Sequence, residues 1–574
     1  MQPRVLIVYA NPAITATPVP PYGAERVVHA FRVAGCDARV CSPWLDLDPG
    51  KALDRAIEEL GPSLVGFSVR NADDALVVRT EDGTRDIDTT DYVPAVRRLV
   101  RRVTRRGLPV LIGGAAVASM GPPIVTALGA RYGISGPADD LVWRLGRALV
   151  NGVPFPDALP DDPRIIGLVS RIRERGDADA WRPVPGPTPR APDWLALARA
   201  REGRVPVAIA AGCDRRCHFC VEPSFLSGGV RARPVEEIVH EIGLLRQAGV
   251  RRIWLATSEL NVPDARHAKE VLGAIARARV DVELYGFLQP SPVDDAFLDA
   301  LEACGVDPAA LSWELGHLDD RLLRAGAGPA NRAGIDRLVG LYQRRGYRQL
   351  GGSLLLGAHP LEDDDSVERA LAGAREIDAA LPDGLGLAYA AGGRIYAESR
   401  LGRWVRDHLE DARPHLYGPL TPGFVAPVVY CKPGRPRELL RRIREGLAGN
   451  RGPQAPLNAE APASPSRLRA ELHVHRAILA SAAGDVDGAV RSARTALRMA
   501  PDHPEALRQL GLTLANRKGD LEGAREVFER LAGVVDGDRR AEVDRVLSQL
   551  RAMGVPGHAP RRIPPAGSGG GPAP

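Results

Sequence analysis

The chain has 574 residues and a mass of 61.4 kDa, too long for one ordinary domain. With 44% apolar and 26% charged residues it can fill globular cores, which excludes disorder as the main state. The net charge of +5 rests on 72 Arg and four Lys interleaved with Asp and Glu, a pattern that reads as codon bias, so no nucleic-acid partner is expected. No run of about eighteen apolar residues occurs, so no membrane partner or span is expected. The opening MQPRVLIVYANP reads as a buried first strand rather than a signal peptide, and the expected compartment is the cytoplasm.

Taken in chain order, RVLIVY (4–9) reads as a strand and Tyr22–Ala34 as a helix ending at Gly35. Strands follow at DARVCSP, LVGFSVR (64–70) and PVLIGG (109–114), with helices near 51–60 and 92–106 between them. Alternating strands and helices predict a parallel sheet, whose ligands sit beyond the carboxyl ends of the strands. The residues to watch are Asn11 and Pro12, Arg70 and Asn71, Gly113 and Gly114, and Gly136.

Residues 153–203 are Pro-rich and read as an irregular linker. From 204 the alternation resumes: strands at VPVAIAAG, RRIWLAT (251–257), VDVELYGFL, LSWELG, GGSLLLG (351–357) and LGLAYAAG (385–392) are separated by amphipathic helices. Such repeated β/α units suit a full or partial (β/α) barrel with its active residues at the carboxyl ends of the strands. Residues 451–467 read as a second linker. Beyond it, Gly484–Asp485 recurs as Gly519–Asp520, and Ala489 as Ala524, 35 residues on in each case. That period resembles tetratricopeptide repeats, expected over 468–552, with a disordered tail over 553–574.

Seven Cys, an odd number, argue against a disulfide scaffold. Three fall within eight residues, as Cys213-x3-Cys217-x2-Cys220, just after a barrel strand. Zinc sites usually show paired C-x2-C and four ligands. Three close thiols suit instead a [4Fe–4S] cluster with one iron left open. Cys36, Cys41, Cys304 and Cys431 read as buried bystanders.

This loop, with aromatic Phe219 before the last Cys, resembles the radical S-adenosylmethionine (SAM) superfamily. The resemblance implies that the open iron binds SAM. It adds cofactor-binding roles for Phe219, Ser258 and Glu259 after the second barrel strand, Glu314 at a strand end, and Gly392 in AAGGRIY. An alternative for Glu259 is to reach the open iron or the substrate.

The segments YANPAITATPVPPYGAERV, GFSVRN, VLIGGAAVAS and LGARYGISGPADDLVWRL make residues 1–152 similar to the cobalamin-binding domain that precedes many radical SAM enzymes. No G-x-G-x-x-G follows the first strand, which disfavours a dinucleotide. The implied cobalamin contacts are Asn11, Tyr22, Ser68, Arg70, Asn71, Gly113, Gly114, Ser119 and Gly136. The D-x-H-x-x-G motif that supplies a cobalt-ligating His is absent. Arg70 would keep the lower face of cobalt unligated, because guanidinium stays protonated; its alternative is pairing with a corrin amide, Asp73 or Asp74.

The whole therefore reads as an α/β chain: a Rossmann-like cobalamin domain (1–152), a linker, a radical SAM barrel with extension (204–450), a second linker and an all-α repeat region. The resemblance implies a methyltransferase that moves a methyl from SAM through methylcobalamin to a carbon of a small metabolite or peptide. It is closest to the tryptophan 2-C-methyltransferase branch. It further implies a flavodoxin- or ferredoxin-type one-electron reductant, while the helical repeats can hold a protein or peptide. Two alternatives stay open: a non-methylating rearrangement or cyclisation on the same folds, and a peptide-binding scaffold.

Overall fold

The computed structural model describes residues 2–12, 18–74, 87, 89–167, 183–225, 229–456 and 465–553. They form two compact units, residues 1–462 and 463–574.

The first unit opens with a six-stranded sheet: β1 (Arg4–Tyr9), β2 (Asp37–Cys41), β3 (Leu64–Ser68), β4 (Val110–Gly113), β5 (Tyr132–Ile134) and β6 (Ile165–Ile166). Its order is β2-β1-β3-β4-β5-β6, parallel except for the edge strand β6. After the exposed Arg4, β1 is an uninterrupted apolar run because helices cover both faces of a parallel sheet; Val5 to Tyr9 are all buried. The helix Tyr22–Ala34 stops at Gly35, whose φ of 103° lets its N–H close on the last turn. The chain leaves β1 for β2 on one side and returns to β3 on the other. This reversal opens a crevice at the carboxyl ends of β1 and β3.

The barrel begins with β7 (Val205–Ala208), followed by a hairpin of β8 (Ala210–Ala211) and β9 (Arg231–Ala232) that flanks the cysteine loop. Next come β10 (Arg252–Ala256), β11 (Glu283–Tyr285), β12 (Ser312–Gly316), β13 (Leu350–Leu356) and β14 (Leu385–Ala391). A small antiparallel cap of β15 (Gly393–Arg394), β16 (Leu416–Tyr417) and β17 (Val429–Tyr430) precedes β18 (Gln454–Pro456). The parallel order is β7-β10-β11, then a bridge from Leu288 to Trp313, then β12-β13-β14-β18. Among the described residues β7 and β18 do not pair, so the barrel is partial.

On β13 and β14 buried positions alternate with half-buried ones. The buried set, including Leu354, Leu356, Leu385 and Tyr389, belongs to the core under the helices. The half-buried set is mostly small residues in register, Gly351 beside Gly386 and Ser353 beside Ala388, with Leu355 beside Ala390. On β10 and β11 the half-buried positions include two aromatics, Trp254 and Tyr285.

Two expectations change. The first Pro-rich stretch is not irregular throughout: it holds β6 and a helix, Pro192–Ala200. Pro192 sits where a helix needs no N–H, and Trp194 anchors the helix by donating to Ser42 Oγ at 2.8 Å. The second linker contributes β18, pinned by the Asp378 carboxylate, which accepts from the backbone N–H groups of Leu385, Arg451 and Gly452. Residues 168–182, 457–464 and the expected tail from 554 lie outside the described residues.

The second unit is all-α, with helices Pro465–Ala482, Val486–Met499, Pro504–Thr513, Leu521–Ala532 and Gly537–Ala552. The repeated Gly-Asp has a local cause. Gly484 and Gly519 take left-handed φ values of 79° and 69°, and Asp485 and Asp520 then cap the next helix by accepting from Gly488 N and Gly523 N. Ala489 and Ala524 are fully buried in that unit's core. No helix among the described residues is long and apolar enough to cross a membrane.

Candidate functional site

The cysteine loop leaves β8 through Gly212, whose φ is 88°. Backbone bonds tie it down: His218 N donates to Gly326 O at 2.7 Å, and His218 O accepts from Leu401 N at 2.8 Å. Cys213, Cys217 and Cys220 are all free thiols. Two sulfurs already receive backbone N–H groups, Cys213 Sγ from Arg215 at 3.5 Å and Cys220 Sγ from Glu222 at 3.4 Å. Burial pushes the Cys213 thiol up to about 11 and Cys220 to about 12. Cys217 is raised further by burial, with Cys220 and Cys213 adding to it, so the three share one space. Thiols held this way need a cationic centre to drive off their protons. Among the described residues no three His, Cys, Asp or Glu groups close around a single ion. Three separated thiols fit the wider span of an iron–sulfur cluster better than a zinc ion.

Three carboxylic acids surround the loop. Glu259, following β10, keeps Oε2 buried with no hydrogen-bond partner among the described residues. Burial pushes it up to about 8, with Glu314 adding and Arg215 opposing. Glu222 is raised by burial and lies 3.1 Å from the Ser258 hydroxyl, which also faces Gly212 O. Glu314, also raised by burial, accepts from Ser353 Oγ at 2.6 Å. Glu259 and Glu222 both add to the rise at Cys213 and Cys220. The structure thus brings Ser258, Glu259 and the three Cys together, with Glu314 across the lumen and Phe219 half-buried in the loop. At Gly392 a Cβ would meet Tyr430 O at 3.0 Å and Cys431 Cβ at 3.2 Å, so no larger residue fits at that position.

Sequence reading passed over the aromatic lumen wall. Trp254 and Tyr285 each meet Phe287 edge-on, at 5.7 and 5.8 Å between ring centroids, and the Arg204 guanidinium lies 3.7 Å over Tyr285. The alternation in RIWLA and ELYGF was the available signal.

Against the barrel mouth, the front sheet opens a mainly apolar cavity of about 360 Å³. It runs from Gly113 and Gly114 at the end of β4 down to Ile7 and Leu64, and its far wall is Ala208, Ala210, Ala211 and Arg233 of the barrel. A Cβ on Gly113 would meet no atom within 4 Å, so the backbone leaves a cradle there. Gly114 is required by its fold: at φ 104° a Cβ would lie 2.5 Å from Val69 O. The cradle beside an apolar slot fits a flat macrocycle that approaches the backbone closely.

Of the expected cobalamin contacts, Tyr22, Ser68, Gly113, Gly114 and Gly136 line this cavity. Asn11 sits at the end of β1, buried, donating to Tyr9 OH at 3.1 Å while its Oδ1 has no partner among the described residues. Ser119 spends its hydroxyl on Ala115 O at 2.7 Å. Arg70 and Asn71 are exposed at the end of β3. Arg70 makes no ion pair with Asp73, whose carboxylate is held by Arg394 at 2.8 Å. Sequence reading missed Arg26 and Arg233. Arg26 pairs with Asp139 at 2.7 Å in the cavity wall, and Arg233 donates to Glu241 at 3.0 Å and to Ala208 O at 2.9 Å. Tyr22 is raised by burial, with Glu241 adding, and its hydroxyl lies 3.4 Å from Arg233.

Residues 207–372 match the model of the radical SAM superfamily, and residues 475–539 match a tetratricopeptide repeat model. The chain is 26% identical to the tryptophan 2-C-methyltransferase of Streptomyces laurentii over 359 residues, 51% of this chain and 57% of that relative. It thus spans little more than half of that relative's length. The structure of TsrM from Kitasatospora setae, a radical SAM methyltransferase with cobalamin and a [4Fe–4S] cluster bound, superposes with a TM-score of 0.64 at 21% identity, covering 84% of this chain and 100% of that one. The cobalamin-dependent SAM radical enzyme OxsB superposes with a TM-score of 0.56 at 11% identity, covering 96% of this chain and 84% of that one. The chain carries a radical SAM domain in an α/β fold shared with these neighbours, and a helical repeat region at its C-terminal end.

Proposed function

We propose that this chain, built on a radical SAM domain, is a cobalamin-dependent methyltransferase that moves a methyl group from SAM to a carbon of a small metabolite or peptide, tryptophan C2 being the first candidate. One observation carries the reading: the loop of Cys213, Cys217 and Cys220 follows β8, whose Ala210 and Ala211 also wall the front cavity. Chemistry at the cysteines and a ligand cradled on Gly113 would therefore share one space.

Cys213, Cys217 and Cys220 would hold the iron–sulfur cluster. Bound cobalamin would supply methyl-carrier chemistry between donor and substrate. Glu259, with a free oxygen beside the thiols, would take the open iron or hold a proton of the substrate. Ser258 and Glu314 would bind polar groups of SAM. Tyr22, Ser68, Gly136 and Arg233 would seat the macrocycle, and Arg70, at the end of β3, would offer no metal ligand, since guanidinium does not coordinate. The wall of Trp254, Tyr285 and Phe287 supports a flat aromatic substrate. Free thiols and an iron–sulfur centre suit the cytoplasm. A peptide substrate would give the repeat unit a holding role.

The test is anaerobic reconstitution with iron, sulfide and cobalamin, followed by incubation with tryptophan and a metabolite pool. The reading requires about four Fe per chain, a corrinoid spectrum and a product one CH2 heavier. A product of rearranged bonds with no added CH2 would replace it with the non-methylating alternative.

A further inference from the structure

Neighbouring barrel strands send alternate residues into the core under the helices: Ile253 and Leu255 on β10, Leu288 just after β11, and Trp313 and Leu315 on β12. Side chains alternate along an extended chain, so the residues between these take the opposite, inner face of the barrel. That face carries Trp254, then Tyr285, Phe287 and Gln289 in one line, then Glu314. The bridge from Leu288 to Trp313 sets Gln289 beside Glu314, and the register of β10 on β11 sets Trp254 beside Tyr285.

Gln289 is fully buried, and neither its Oε1 nor its Nε2 has a hydrogen-bond partner among the described residues. Trp254 Nε1 is buried and unpartnered in the same way. A buried amide left unmet is costly, and in a folded chain it marks a place where another group binds. The backbone of Gln289, by contrast, is held on both sides. Asn261, itself fully buried, donates from Nδ2 to Gln289 O at 2.8 Å and to Pro292 O at 2.9 Å, and its Oδ1 accepts from Gln289 N at 3.1 Å. The side chain is therefore fixed at its root and unspent at its tip, the arrangement of a preorganised ligand contact.

The neighbours narrow the ligand's chemistry. Same-face residues of an extended chain lie about 7 Å apart, so a flat ring laid on Phe287 brings its edge to Gln289. The amide offers one acceptor and one donor side by side. An aliphatic chain or a plain hydrocarbon ring would leave both unmet. We propose that Gln289 is a specificity-determining residue that accepts the ring N–H of a planar heteroaromatic substrate stacked on Phe287 and Tyr285, with Asn261 as its positioning residue. The inference rests on the proposed methyl transfer and names the chemical class of its substrate.

The experiment measures equilibrium binding to the reconstituted full chain, with S-adenosylhomocysteine in place of SAM so that nothing turns over. The probes are tryptophan and its benzothiophene analogue, in which sulfur replaces the ring N–H. A site made around an N–H rejects the analogue that lacks it, so the wild type should prefer tryptophan by about tenfold or more. Gln289→Leu should bind the two probes within twofold of each other, whereas Gln289→Glu, which keeps an acceptor oxygen, should retain the preference. Without ligand, Gln289→Leu should melt no lower than the wild type, because the change removes an amide that nothing satisfies. Equal preference in wild type and Gln289→Leu would overturn the proposal, as would loss of the preference in Gln289→Glu. A lower melting temperature with the preference intact would make the amide structural, and loss of S-adenosylhomocysteine binding alone would give it to the methyl donor; either overturns the proposal. A chain that takes up iron and cobalamin but binds neither probe overturns this inference and leaves the methyltransferase reading standing. A chain that takes up neither iron nor cobalamin overturns both.

Discussion

Asp73 and Arg394, 321 residues apart in sequence, form a buried ion pair at 2.8 Å that ties the loop after β3 to β15. Arg394 also donates to Phe424 O at 2.8 Å, so it joins the front sheet, the barrel and the cap at one point. Removing one partner of such a pair leaves the other charge buried and alone, at a cost of about 3–5 kcal/mol. Arg394→Ala should therefore lower the unfolding midpoint in urea and loosen the front cavity. Chemical denaturation and cobalamin retention on a desalting column measure both effects.

The cysteines divide by role. Cys213→Ala, Cys217→Ala and Cys220→Ala should each abolish stable iron binding. Cys304→Ala should retain it, because that thiol donates to Leu272 O at 3.0 Å on a helix, away from the cysteine loop. Iron content after reconstitution, read against protein concentration, separates the two classes.

At the front cavity, Gly113→Val adds a side chain where a Cβ would meet no atom within 4 Å. The fold should tolerate it while the ligand should not. Cobalamin affinity is expected to fall more than tenfold, about 1.4 kcal/mol or more, with iron content and the melting temperature unchanged. Equilibrium dialysis against hydroxocobalamin measures the affinity.

Glu259→Gln keeps the shape of the side chain and removes its ability to ionise. The three thiols should still bind iron, whereas product formation should fall by at least about a hundredfold, the scale of a lost acid–base or ligand group. Iron content and product yield, measured on the same sample, give the contrast.

Asp378 carries a pH prediction. Burial alone would raise its carboxyl, but the backbone N–H groups of Arg451, Leu385 and Gly452 and the Arg451 side chain hold it below its usual value. A depressed folded value means that the stabilisation is present above the unfolded pKa and is lost as pH falls through the folded one. Asp378→Asn should remove this acid-side dependence and destabilise the chain by about 1–3 kcal/mol, with β18 exchanging its amides first. Hydrogen exchange across 451–456, at neutral and acid pH, follows it.

Much of this architecture is legible in the sequence because local signals agree with the fold. Helix Tyr22–Ala34 is bounded by Gly35, β1 is an apolar run after Arg4, and the repeated Gly-Asp marks an αL turn plus a cap. The cysteine loop and the acids at 259 and 314 were visible as residue types at strand ends. What failed was long-range. Pro192 looks like a breaker but occupies the first turn of a helix, and Gln454–Pro456 looks like a linker until β14 and Asp378 pair with it. Arg26 and Arg233 have no local signature, since their meaning comes from what the fold brings near them. At Gly392 the left-handed φ of 77° and the closeness of Tyr430 O and Cys431 Cβ explain why a glycine stands there.

The most direct measurement follows the methyl group itself. The reconstituted chain is given SAM labelled in its methyl carbon, together with tryptophan and a metabolite pool, under anaerobic conditions. The account predicts label on a carbon of the product and S-adenosylhomocysteine formed with it. Formation of 5′-deoxyadenosine with no labelled product would contradict it.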